Sequence, residues 1–143
     1  MSTQANKEIV RRWIEEGWNG GDVGIVDELY HPDFTAQPML AGHPELRGSQ
    51  SVKDYVLGMR AAFPDLNFTI KYLIAEDDYV AGAFRVEGTH KGTLFGIPAT
   101  GKTVDFEAVD IWRFRDDRIV ERPLAVADFL HALQQMGLIP QMG

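Results

Sequence analysis

Apolar residues recur at helical spacing at the start of the chain, where Ile9, Val10, Trp13, Ile14 and Trp18 share one face and Lys7, Arg11, Arg12, Glu15 and Glu16 take the other. This predicts a half-buried helix over residues 6–18. Asn19-Gly20-Gly21-Asp22 stops it and offers a new N-cap. Ile25, Val26, Leu29 and Tyr30 then suit a short second helix, closed by His31-Pro32-Asp33. From Phe34 to Gly48 prolines and glycines break every period, which predicts a short strand followed by a loop. Val52, Tyr55, Val56, Met59, Ala62 and Phe63 form the stripe of a third helix that Ser49 or Ser51 can cap and Pro64 ends. Beyond Asp65 the period falls to two, with Phe68, Ile70 and Tyr72 alternating against polar neighbours. Asp77-Asp78 turns into a strand over 79–90, a glycine-framed loop covers 92–101, and 102–114 reads as the longest strand. Arg115-Asp116-Asp117-Arg118 turns into a last strand from 119 to about 126, and Asp128 caps a terminal helix that Gly137 ends.

Helices first and strands afterwards predict a single α+β domain over residues 1–143, with three N-terminal helices laid on one face of a curved antiparallel sheet. Helices cannot fill a strongly curved concave face, so a pocket for a small hydrophobic ligand is expected between the layers. A chain of 143 residues can bury roughly 68–70% of its unfolded surface and needs no metal or disulfide staple. Its 14 Lys+Arg against 21 Asp+Glu leave a net charge of −7 with no basic block, which argues against nucleic acid and anionic membrane surfaces as partners. No stretch approaches the ~18 apolar residues of a membrane span, and the first residues lack the charged-then-apolar order of a signal peptide, so a cytoplasmic location is expected. The absence of cysteine removes disulfides, thiolate metal sites and cysteine nucleophiles together. Oxygen and nitrogen groups are left to carry any chemistry.

Val104, Phe106, Ala108, Asp110, Trp112 and Phe114 share one face of the longest strand, and Asp110 alone interrupts its apolar run. Burial raises a carboxylate's pKa, which suits it to removing a proton next to a carbonyl. The alternative is a structural Asp110 bonded to backbone, His or Arg. His90 ends the 79–90 strand in phase with its inward face and could form an acid–base pair with Asp110, or else bond the hairpin loop. Trp13, Trp112, Phe34, Tyr55, Met59, Phe63 and Phe106 fall on inward faces and are the expected ligand contacts, although core packing accounts for such residues equally well. His31 reads as a helix-end cap, His43 as a loop residue and His131 as solvated. No histidine pair at metal-ligand spacing, nucleophile elbow, Walker A or dinucleotide fingerprint is present, so neither metal nor cofactor is expected. An enzyme needs Asp110 free to face the cavity. A binding module would have it ion-paired or bonded to backbone, and a plain scaffold would have the cavity filled.

Arg60-Ala-Ala-Phe-Pro-Asp65, Gly88-Thr-His-Lys-Gly92, Phe95-Gly-Ile-Pro-Ala-Thr-Gly101-Lys102 and Arg113-Phe-Arg-Asp-Asp-Arg-Ile-Val-Glu121 resemble the SnoaL-like polyketide cyclase family, and the resemblance spans nearly the whole chain. It implies the nuclear transport factor 2-like α+β cone, a cofactor-free pocket and a homodimer through the sheet. Cyclases of this family close rings by an intramolecular aldol reaction that begins with proton abstraction next to a carbonyl. Aligned through Arg113 and Glu121, the family's strand histidine falls on Asp110 and its aspartate near Leu124, while the His-Trp that follows Glu121 reads Arg122-Pro123. Pro123 removes a strand donor and so predicts an edge or a bulge, and the family's turn glycine is Asp117. Steroid-isomerase relatives carry their base where this chain reads Thr35-Ala36-Gln37-Pro38, without a carboxylate. Epoxide hydrolases of this fold use Asp-Arg-Asp, of which Asp110 supplies one member while Arg85 is predicted on the opposite face. The resemblance together with the residues implies a cofactor-independent acid–base enzyme, a cyclase or isomerase, acting on a small hydrophobic carbonyl compound. The alternative is a non-catalytic dimer that binds such a ligand.

Overall fold

The N-terminal helix begins earlier than its apolar stripe, because Ser2 caps it by accepting a hydrogen bond from the Ala5 N–H (2.9 Å). In the computed structural model, which describes residues 2–37 and 45–141, this helix (α1, Thr3–Arg12) runs without a break into a π-helical segment, Trp13–Asn19. Asn19 then ends the run by pairing with a strand: its side-chain amide donates to the Phe68 carbonyl (2.9 Å) and accepts from the Phe68 N–H (2.7 Å). The second helix is shorter than the sequence predicts, a 3-10 turn Val23–Ile25 and one α turn (α2, Val26–Leu29). Tyr30 opens strand β1 (Tyr30–Ala36) instead of closing a helix, and His31-Pro32-Asp33 runs inside that strand. After β2 (Leu46–Arg47), α3 spans Gly48–Ala62 without a side-chain N-cap, since Ser51 donates to the Gly48 carbonyl (2.7 Å) instead of capping. His43 lies outside the described residues.

Strands β3 (Asn67–Glu76), β4 (Tyr79–Thr89), β5 (Thr103–Arg115) and β6 (Arg118–Ala127) form the predicted antiparallel meander. The sheet is larger and mixed, however. It has six strands in the order β2-β1-β6-β5-β4-β3, with β1 parallel to β6. The α+β class stands, and the wholly antiparallel sheet is corrected. Helix α1 and the π segment pack on β3, and α3 packs on β1, so the helical layer covers the inner face. Val80, Phe84, Val86, Val104, Trp112 and Ile119 bury that face against Val10, Trp13, Ile14 and Val56. Asp128 accepts from the His131 N–H (3.1 Å) and caps the terminal helix (α4, Phe129–Gln135), as its position predicts. Among the described residues no helix is long and apolar enough to cross a membrane.

Bulges decide which side chains face inward, since one extra residue on one strand shifts the residues beyond it to the other face. In β3 the register slips between Ile70 and Tyr72, which turns Tyr72 outward, 62% exposed, against the inward alternation read from the sequence. In β6 it slips where Arg122 and Pro123 together oppose Trp112, with Arg113 paired to Glu121 and Ile111 to Leu124. Pro123 has no N–H to leave unpaired there. As a result Arg122 and Ala125 are both buried while Leu124 between them is exposed.

Candidate active site

Asp110 sits in the middle of β5, opposite Gly82 of β4 and Ala125 of β6. It is half-buried and lines two adjoining chambers between the sheet and the helical layer. The inner chamber, about 10 Å³, is walled by Trp13, Tyr30, Phe34, Tyr55, Trp112 and Arg122, among others. The outer chamber, about 40 Å³, is apolar apart from Asp110, Tyr55 and Arg122, and half-exposed Met59, Phe106 and Phe129 lie toward its mouth. Trp18, Tyr55, Asp110 and Arg122 line both. Polar groups thus gather at the inner end and hydrocarbon at the outer.

Burial pushes the Asp110 carboxyl up to about 6, and the Arg122 charge opposes that shift without cancelling it. Among the described residues no side chain or backbone group lies within hydrogen-bond or ion-pair distance of the carboxylate. Arg122 is held by its Nη2 donating to the Gln37 carbonyl (3.0 Å), and its guanidinium lies 6.0 Å from the centre of the Tyr55 ring. Its Nε is buried and has no partner among the described residues. Tyr30 is wedged edge-on between Trp13 (5.1 Å) and Phe34 (4.8 Å). Burial holds the Tyr30 hydroxyl protonated well above the usual phenol range, with Arg122 opposing and Asp110 adding to the shift.

Six of the seven expected ligand contacts line these chambers: Trp13, Phe34 and Trp112 the inner one, Met59 and Phe106 the outer one, Tyr55 both. Phe63 does not, because it ends α3 and lies against the ring of His90 (5.4 Å). The pairing of His90 with Asp110 is corrected by the strand register. Gly82, the residue opposite Asp110, precedes His90 by eight positions on β4, a separation of roughly 26 Å along an extended strand. His90 is fully buried at the hairpin end, where Nδ1 meets Thr100 Oγ1 (2.9 Å) and the main chain pairs with Gly101 and Lys102. It holds the loop in place. His31 accepts from the Asp33 N–H (3.0 Å) and lies 3.7 Å from Asp116, so it packs on the β5–β6 turn rather than capping a helix. His131 is exposed on α4.

Sequence reasoning missed Arg122 and Tyr30 as site residues. Pro123 was the available signal for Arg122, since a bulge there inverts the simple alternation that would otherwise set Arg122 and Leu124 on one face. Tyr30 was hidden by reading it into the preceding helix.

The sequence profile of the SnoaL-like polyketide cyclases matches residues 8–136. The aklanonic acid methyl ester cyclase DnrD of Streptomyces peucetius is 30% identical over 138 residues, covering 96% of this chain and 92% of that protein. Among solved structures, IdmH of Streptomyces antibioticus superposes with a TM-score of 0.77 at 28% identity, covering 91% of this chain and 96% of that one. A SnoaL-like protein of Jannaschia sp. CCS1 reaches a TM-score of 0.86 at 23% identity, covering 96% and 95%, and speaks for the fold alone. With the profile spanning most of the chain and DnrD aligned over nearly all of it, the protein belongs to the SnoaL-like polyketide cyclase family.

Proposed function

We propose that the protein is a cofactor-independent acid–base enzyme, a cyclase or isomerase, in which Asp110 removes a proton next to the carbonyl of a small hydrophobic compound. The observation that carries this reading is the carboxylate of Asp110, unpaired among the described residues, half-buried and facing both chambers. A purely structural Asp at that depth would be expected to hold a hydrogen-bond partner. A carboxyl that gives up its proton near pH 6 is a competent base at neutral pH and a stronger one than an exposed aspartate. Arg122 supplies positive charge where an enolate would form. That two similar proteins are aklanonic acid methyl ester cyclases agrees with chemistry at an activated carbonyl.

The test is solvent-deuterium exchange by NMR across activated ketones and β-keto esters, comparing wild type with Asp110→Asn. Exchange at the α-carbon should fall by at least about 10²-fold in the variant, the contribution expected of a positioned base. If several compounds bind and none exchanges, the protein is a binding module.

We propose further that the protein forms a homodimer through the outer face of its sheet. The support is a registered apolar surface there, Tyr72-Ala83-Val109-Val126 beside Ile74-Ala81-Ile111-Leu124 across β3, β4, β5 and β6.

A further inference from the structure

The inner chamber has a size and a lining that the removal of a proton by Asp110 does not explain. At about 10 Å³ it admits about one water, so it accommodates one oxygen atom of a ligand and no ring. Its polar walls are Tyr30, Tyr55, Asp110, Trp112 and Arg122, and the remainder is hydrocarbon. Tyr30 is 4% exposed, and the edges of Trp13 and Phe34 fix its ring. Among the described residues no side-chain or backbone acceptor lies within hydrogen-bond distance of the Tyr30 hydroxyl, which leaves the phenolic O–H to donate elsewhere. Asp110, the nearest anionic group, has no hydrogen bond from it. A buried donor in a chamber for one oxygen therefore stands ready for an acceptor supplied by the ligand.

We propose that the inner chamber is an oxyanion slot, in which the Tyr30 hydroxyl, its ring held by Trp13 and Phe34, donates to the carbonyl oxygen of the bound compound. The proposal rests on the reading of Asp110 as base and adds the group that receives the developing charge. In the step itself the Asp110 carboxylate takes the α-proton and the C–H electron pair becomes the new C=C bond. The carbonyl π pair moves to oxygen, and the hydrogen bond from Tyr30 tightens on that enolate oxygen while the Tyr30 proton stays on Tyr30. Return of the proton from Asp110 to carbon, or attack of the enolate carbon on a second carbonyl, completes an isomerisation or a ring closure. The ligand class follows from the two chambers together: an apolar body whose leading end enters the outer one, about 40 Å³ and partly open, and a single carbonyl or enol oxygen at its tip in the inner one. Tyr30 is thus assigned as a further catalytic residue.

Para-substituted phenols imitate an enolate oxygen on a flat apolar body and need no turnover, so they probe the slot apart from the base. Wild type should bind 4-chlorophenol at least about tenfold more tightly than chlorobenzene, as a net hydrogen bond predicts. Tyr30→Phe, which keeps the ring and its packing, should reduce that preference to less than about twofold and lower the exchange kcat by about 10²–10³-fold with KM little changed. Asp110→Asn should lose exchange and keep the preference for phenol. A Tyr30→Phe protein that retains the phenol preference, or a wild type that shows none, overturns the slot even where Asp110→Asn abolishes exchange. Conversely, a wild type that exchanges nothing yet loses its phenol preference in Tyr30→Phe removes the base reading and leaves the slot standing.

Discussion

The depth of Asp110 affects stability as well as chemistry. Its carboxyl keeps a proton up to about pH 6 in the folded chain and to about 3.9 in an unfolded one. Between those values the native state binds more protons than the unfolded state, so the stability owed to this group is fully present below about pH 4 and is lost as pH rises through 6. A gap of about two pH units corresponds to about 3 kcal/mol at neutral pH. Asp110→Asn cannot ionise and escapes that loss. In urea unfolding, the variant's stability advantage over wild type should therefore grow by about 2–3 kcal/mol between pH 4 and pH 7. The groups common to both proteins cancel in that difference, and a gap that does not change with pH would mean that Asp110 ionises normally. Exchange should follow the same titration with the opposite benefit, rising with pH to a plateau above about 6 as the base becomes available. The residue is thus held where folding is disfavoured and proton abstraction is favoured.

Among the elements, the π-helical segment sets two indole rings in the chamber walls. Its i→i+5 bonding stacks side chains five apart, where an α-helix would turn them to different faces. Trp13 and Trp18 consequently meet, 6.4 Å between ring centres, and both line the inner chamber. The turn depends on Gly17, because a Cβ at that position would collide with the six-membered ring of Trp13. Gly17→Ala should therefore displace Trp13 or straighten the turn, costing about 1–3 kcal/mol as over-packed cores do, with a shift in tryptophan fluorescence. An unchanged melting temperature and spectrum would show that the wide turn is not needed to seat Trp13. Helical periodicity made a helix over residues 6–18 legible, because a π turn keeps an apolar face much as an α turn does, and for the same reason the widening itself could not be read. The four strands of the meander were legible from their alternation and acidic turns. Strand β1 was legible only at its end, as the short strand expected from Phe34, because His31-Pro32-Asp33 carries the composition of a turn and its partner, β6, lies some ninety residues further on. Asp110 could be found from one strand's own pattern. Arg122 required the bulge, and excluding His90 required the register between two strands, neither of which is a local property.

For the molecule as a whole, the two faces of the sheet divide the work: the inner face carries the chambers and the outer face is left apolar. Tyr72 (62% exposed), Ile74 (65%), Val109, Leu124 and Val126 stand in the two registered rows, with the small Ala81 and Ala83 lowering the surface between β3 and β5. The charges at the border are already matched within the chain, Lys71 to Glu107 (2.8 Å), Arg85 to Asp105 and Arg113 to Glu121 (3.0 Å). A surface that is apolar inside and neutralised at its rim meets little penalty when set against a copy of itself, and a twofold axis through it would pair every residue with a partner of the same kind. The net charge of −7 sets copies of the chain against one another, so a homodimer requires the attraction of this patch to exceed that repulsion. Light scattering should accordingly give twice the 16.0 kDa chain mass for wild type. Val109→Glu, which sets a carboxylate at the centre of the face, should return the mass to one chain with the circular dichroism unchanged. Because Val109 points away from both chambers, that monomer should still bind phenols. A wild type that remains monomeric at about 100 μM, a concentration at which interfaces of ordinary size associate, would assign the apolar face to some other partner. A monomeric variant that loses phenol binding would instead mean that the inner chambers depend on the pairing of the sheets behind them.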